Sequence, residues 1–156
     1  MSASLPRRLK TVVGAGTLLS TNQDKDLSFG AKRAADLARK AESEKITGLF
    51  TADLVQIDPD GLSGNTGIQD PVVALAALSQ ATSHIGLIAT ISTTFLHPYN
   101  LARQIGTLDH ASGGRAAWNA VTSSVGEENF GTPLPTPEER YDRAAEFINV
   151  VQALYD

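Results

Sequence analysis

The sequence predicts an α/β fold built on a parallel sheet, and three observations carry that prediction. Short apolar runs alternate four times with stretches of helical periodicity; the runs are nearly continuous in apolar character; and each ends in glycine or small polar residues. A continuous apolar run suits a strand buried on both faces, as parallel strands under crossover helices are. Four β-then-α units fit two architectures: a small open doubly wound sheet, or half of an eight-unit barrel.

Taken in order, LKTVV at Leu9–Val13 is a strand candidate closed by Gly14-Ala15-Gly16, and the polar run from Ser20 to Asp26 is a loop. From Leu27 to about Glu44 the chain turns helical, with Ala34, Leu37, Ala38 and Ala41 at three- and four-residue spacing and Asp26 or Ser28 as cap. Ile46–Phe50 is the second strand and ends in Thr51-Ala52-Asp53; residues 54–69 carry turn chemistry, including Asp58-Pro59-Asp60-Gly61.

Asp70-Pro71 opens the next helix, since Asp is a favoured N-cap and Pro loses no needed donor at the first position. It is expected to run to about Thr82 behind Val72, Leu75, Ala76 and Leu78. Ile85–Ala89 is the third strand. His97-Pro98 turns into a helix from Tyr99 to about His110, which Gly113 and Gly114 stop. Ala116–Val121 is the fourth strand, a loop runs to Pro137, and a last helix from about Glu138 places Phe147, Ile148, Val151 and Leu154 on one side.

Composition bounds the function. The 156 residues are 42% hydrophobic and 19% charged, ordinary for a globular domain, and a net charge of −4 argues against broad affinity for nucleic acid or anionic membrane. The lack of cysteine excludes disulfides, thiolate metal sites and a cysteine nucleophile within this sequence. No run reaches the roughly 18 apolar residues of a membrane span, and MSASLPRRLKTVV has a basic patch without an apolar core of signal-peptide type. An intracellular, cytoplasmic protein is the expectation.

In both architectures ligands bind at the carboxyl ends of the strands. Those ends hold Gly14–Gly16, Thr51–Asp53, Thr90–Thr94 and Asn119–Ser124: one carboxylate, several hydroxyls and an amide on one rim. Such groups orient a polar ligand; small polar residues also simply cap strands. Gly14-Ala15-Gly16 resembles the start of a dinucleotide fingerprint, but Leu19 replaces the third glycine and a polar loop replaces the helix. Of three histidines, His84 and His110 fit structural roles at helix ends and His97 alone lies on the rim; their spacing makes no metal site. No G-x-S-x-G occurs.

From Asp70 to Ser124 the residues become specific. IGLIATIST, HPYNLAR, LDHASGGR and WNAVTS, with LFTADL before and EERYDRAAEFINVVQAL after, resemble the bacterial luciferase-like FMN-dependent monooxygenases. Within them the sequence is similar to the subgroup of nitrilotriacetate, pristinamycin-synthase-type and dibenzothiophene-sulfone monooxygenases. The resemblance covers about residues 27–156, after an N-terminal strand and loop at 1–26, and makes 1–156 one partial domain: the N-terminal half, about four β/α units, of a TIM-type (β/α)8 barrel.

The resemblance implies an enzyme that takes reduced FMN from a separate NAD(P)H-dependent flavin reductase and oxygenates a small organic substrate with dioxygen, often cleaving a C–N or C–S bond. The cofactor carries the chemistry; the protein supplies orientation and excludes water. Carried over by residue, Asp53 in TAD is the acid that hydrogen-bonds near the flavin, and Thr90 in IAT, with Ser92 behind it, is the flavin-contacting hydroxyl. Asn119 lies on the strand facing the isoalloxazine and ribityl chain, and Tyr141 in ERY contacts FMN towards its phosphate. Catalytic residues and a metal are not implied.

Two departures stand out. Pro137 occupies the place of a further FMN-binding histidine, four residues before Tyr141. A full barrel takes about 250 residues, and its phosphate loops follow strands 7 and 8. The expectation is therefore half of a monooxygenase, a truncated product or part of a split enzyme completed by a second chain, with an exposed edge that favours homo-oligomers. The alternative is a non-catalytic half-barrel, a binding or dimerisation module or gene fragment. A small doubly wound nucleotide-binding domain suits the length but fails on its glycine loop.

Overall fold

The computed structural model describes residues 12–14, 27–56 and 70–156. Their elements are β1 (Val12–Gly14), α1 (Leu27–Ser43), β2 (Gly48–Thr51), α2 (Pro71–Ser79), β3 (Gly86–Ser92), α3 (Pro98–Ser112), β4 (Ala116–Val121), α4 (Glu127–Phe130) and α5 (Pro137–Ala153). The strands form one parallel sheet in the order β1-β2-β3-β4. Residues 9–11 of the first expected strand, Ala15 and Gly16 of its glycine turn, Asp26 and the turn at 58–61 lie outside the described residues, as does the side chain of Ser28.

Register sorts the strand side chains, because neighbours along a strand point to opposite faces. Leu49 sits beside Leu87, and Leu87 beside Ala116. These three, with Ala89 and Ile91, form one buried cluster with Ala38 of α1, Leu75 of α2, Leu101 and Leu108 of α3, and Phe147 and Val151 of α5. Thr90 and Asn119 face each other's strand on the opposite side of the sheet. All four long helices thus pack on one face, and the strands follow sequence order. A doubly wound sheet reverses its order and carries helices on both faces. The observed winding is that of a barrel wall.

Several boundaries moved for identifiable reasons. Helix α1 ends in a paired motif in which Lys45 N–H donates to the Glu42 carbonyl and Ile46 N–H to that of Ala41, both at 3.0 Å, with Lys45 left-handed at φ 64°. Ile46 and Thr47 are spent on that stop, so β2 begins at Gly48 rather than Ile46. Helix α2 ends at Ser79, short of the expected Thr82. Two side chains take the groups that a further turn would use: Arg115 Nη2 donates to the Ser79 carbonyl at 3.0 Å, and Glu42 accepts from Ser83 N–H at 2.9 Å.

The caps followed the sequence more closely. Asp70 accepts from Val73 N–H at 2.8 Å ahead of Pro71, and Gly113 closes α3 at φ 71°. Thr136 and Glu139, a cap not singled out from the sequence, form a reciprocal capping box around Pro137, which starts α5. Ala76 and Leu154, expected on apolar stripes, are exposed, and Ile148 is half-buried. The loop between β4 and α5 contains α4, which the sequence did not announce.

Candidate functional site at the carboxyl ends of the strands

An open cleft of about 610 Å³ lies at the carboxyl ends of β2 and β4 and the start of α5. Asp53 and Val55 form one side, Ser123 and Ser124 the floor, and Pro137, Arg140 and Tyr141 the other side. Asp53 is half-buried. Burial strips water from its carboxylate and the nearby Asp70 carboxylate repels it, so its pKa is pushed up to about 6. A carboxyl tuned there can accept or release a proton close to neutral pH.

Across the cleft, Tyr141 is 69% exposed. Beside it, Arg140 Nη1 donates to the Ser123 carbonyl, while its Nε is buried with no partner among the described residues. Ser123 is left-handed at φ 50°, a costly conformation for a residue with a side chain. Its hydroxyl donates to Ser92 Oγ at 2.8 Å, and Arg143 Nε donates to the Thr93 carbonyl at 3.2 Å. The first turns of α5 are thereby pinned to the ends of β3 and β4.

The structure gathers the four expected site residues as two pairs. Asp53 and Tyr141 line the same cleft. Thr90 and Asn119 are register partners on the face away from the helices, with Asn119 Nδ2 donating to Thr90 Oγ1 at 3.4 Å. They do not line that cleft. Trp118 points the other way, tilted on Phe147 with ring centroids 6.0 Å apart. His97, the histidine weighed for function, is instead the N-cap of α3: its Nδ1 accepts from Tyr99 N–H at 3.3 Å. Pro137 lines the cleft and offers no donor there.

Arg140 and Ser123 were not singled out from the sequence. Arg140 had a readable signal, because a cation in the first turn of a helix opposes the helix dipole and calls for a local reason. Ser123 had none, since nothing in Thr-Ser-Ser announces a left-handed residue. Taken together the cleft offers a tunable carboxyl, a guanidinium, a phenol and hydroxyls. That set suits an elongated polar ligand with an anionic end.

The family profile described as luciferase-like monooxygenase matches residues 10–156. The chain belongs to that family. It is 41% identical over 139 residues to N-acetyl-S-(2-succino)cysteine monooxygenase of Bacillus subtilis, covering 84% of this chain and 30% of that protein. It is 39% identical over 141 residues to nitrilotriacetate monooxygenase component A of Aminobacter aminovorans, covering 78% and 30%. Among solved structures, EDTA monooxygenase from Chelativorans sp. BNC1 superposes with a TM-score of 0.82 at 34% identity, over 96% of this chain and 39% of that one. The subgroup named from the motifs is thus shown, and the chain spans about a third of the length of the curated relatives it matches.

Proposed function

We propose that residues 1–156 are the N-terminal part of an FMN-dependent monooxygenase, about four β/α units of a (β/α)8 barrel, and carry one wall of its flavin site. The observation that supports this best is the pairing of Asp53 with Arg140 and Tyr141 across one cleft at the carboxyl ends of the strands. The donor set fits the cofactor: the buried, unpartnered Nε of Arg140 suits an anionic group, and the hydroxyls suit a polyol chain. Reduced FMN bound there supplies the activation of dioxygen for oxygenating a small organic substrate.

The chain's own residues bind and orient. Tyr141 and Arg140 hold the polar end, Asp53 holds or yields a proton at its carboxyl, and Thr90 and Asn119 offer hydrogen bonds from the sheet face away from the helices. The resemblance assigns delivery of reduced flavin to a separate NAD(P)H-dependent reductase, and the name "component A" of one relative accords with a multi-component system. Further β/α units, from more of the same protein or from a complementary or second copy, complete the wall.

Pro137 in the cleft favours a second reading, a non-catalytic half-barrel that serves as a binding or dimerisation module. Anaerobic calorimetric titration of the chain with reduced FMN separates the two. Saturable binding at micromolar flavin, weakened about tenfold (~1.4 kcal/mol) by Asp53→Ala or Tyr141→Phe, is the expected result. Lack of saturable binding assigns the chain to the second reading. Trp118 makes a poor reporter, because it lies on the helix side of the sheet.

A further inference from the structure

After β2 the segment Ala52–Gln56 leaves the sheet without secondary structure, yet it carries the half-buried Asp53. Two contacts from the loop that follows β4 reach it, and a third fixes that loop to Phe95. Asn129 Nδ2 donates to the Val55 carbonyl at 3.1 Å. Gly126, at φ 118°, lies against the same residue: a Cβ there would stand 2.8 Å from both Val55 Cγ2 and Val55 O, and 3.1 Å from Phe95 Cε2. Phe130, 41% exposed, is held by stacking flat on Phe95, with ring centroids 4.6 Å apart and planes 4° from parallel.

We propose that the strap Gly126–Phe130 positions Asp53, with Asn129 and Gly126 as positioning residues that hold the Asp53–Val55 segment against the cleft. The parts have distinct jobs. The Phe95–Phe130 stack anchors the strap to the end of β3, Asn129 ties it to the β2 loop, and the bare Cα of Gly126 permits the close approach. Together they couple the loops that follow β2, β3 and β4, and those after β2 and β4 line the cleft. Deleting the Asn129 contact frees a segment that has no regular structure of its own, so Asp53 swings outward into water and away from Asp70. The other charged or titratable groups at the cleft are Arg140 and Tyr141, which stay pinned by α5.

The inference deepens the proposed flavin site but is tested without flavin. Carbon-detected NMR of the full chain follows the Asp53 carboxyl titration in the parent, in Asn129→Leu and in Asn129→Gln. The expected result is a midpoint about one pH unit lower in Asn129→Leu, a parent-like midpoint in Asn129→Gln, which keeps a donor, and unchanged melting temperatures. Gly126→Ala, which forces Val55 aside, shifts Asp53 the same way and serves if Asn129→Leu fails to fold. An Asp53 midpoint that stays at the parent value in folded Asn129→Leu or Gly126→Ala overturns the strap. Absence of FMN binding by the parent overturns the flavin reading and leaves this result standing.

Discussion

The two ends of the sheet are built on opposite terms. At the amino ends of β3 and β4, Arg115 donates from Nε to the Ser112 carbonyl at 2.6 Å, from Nη1 to Thr82 Oγ1 at 3.0 Å and the Ile85 carbonyl at 2.9 Å, and from Nη2 to the carbonyls of Ser79 and Thr82. Nearby, Glu42 accepts from the N–H groups of Ser83, His84 and Ile85, and Asp109 accepts from Ala116 N–H. Charges there complete the backbone. At the carboxyl ends the polar groups are less completely paired: Asp53 is pushed up towards its neutral form, Arg140 Nε is buried with no partner among the described residues, and Ser123 is strained. One end of the sheet ties its charges to the backbone, and the other holds strained, desolvated and unpaired groups among the described residues.

The comparison predicts opposite signs for substitutions at the two ends. The largest effect belongs to Arg115→Met, which strands the carbonyls that end α2 and should cost about 3–5 kcal/mol in urea unfolding. A loss below about 1 kcal/mol would break the view that this end carries stability. Glu42→Gln should cost about 1–2 kcal/mol. Desolvation works upward on the Glu42 carboxyl, but the hydrogen bonds from His84, Ile85 and Ser83 outweigh it and hold it below the usual range. A lowered pKa gives stability that is present above the unfolded value, about 4.3, and is lost as pH falls through the folded one. A pH series of unfolding should show that acid-side loss in the parent and a flatter curve in Glu42→Gln.

At the other end the sign reverses. Because Asp53 titrates higher folded than unfolded, the folded chain binds the proton more tightly, and stability falls as pH rises from about 4 to about 6. Asp53→Asn should therefore raise stability at pH 7 by about 1 kcal/mol, a figure discounted for solvent screening of a half-exposed group, with little gain near pH 4. Thr51→Val should add about 0.5–1 kcal/mol, since it removes a buried hydroxyl that has no partner among the described residues. Destabilisation by either change would erase the contrast between the ends.

How much of this was legible follows residue type. Asp70-Pro71, Gly113 and the Ala116–Val121 run act through local chemistry, and the structure keeps them where the sequence put them. Asp53 and Tyr141 were readable through motifs, and the fold brings them to one cleft. His97 drew notice for its rim position, and in the structure its ring nitrogen caps α3. The strap was illegible: Gly-Glu-Glu-Asn-Phe has no helical period, and its four-residue helix depends on Val55 and Phe95, distant in sequence.

By itself, the sequence determined the alternation of strands and helices, the cap that starts α2, the glycine stop of α3 and the family, because these rest on local patterns and on motifs read along the chain. Tertiary structure decided that the strands run in sequence order with the long helices on one face, which separates a barrel wall from a doubly wound sheet. It also decided where α2 stops, since Arg115 and Glu42 claim the groups of the next turn, and that Asp53 titrates near neutrality. The end of α2 depends on charges and carbonyls brought together from 30 or more residues apart, and the Asp53 shift on burial and on Asp70; local pattern carries no record of such meetings.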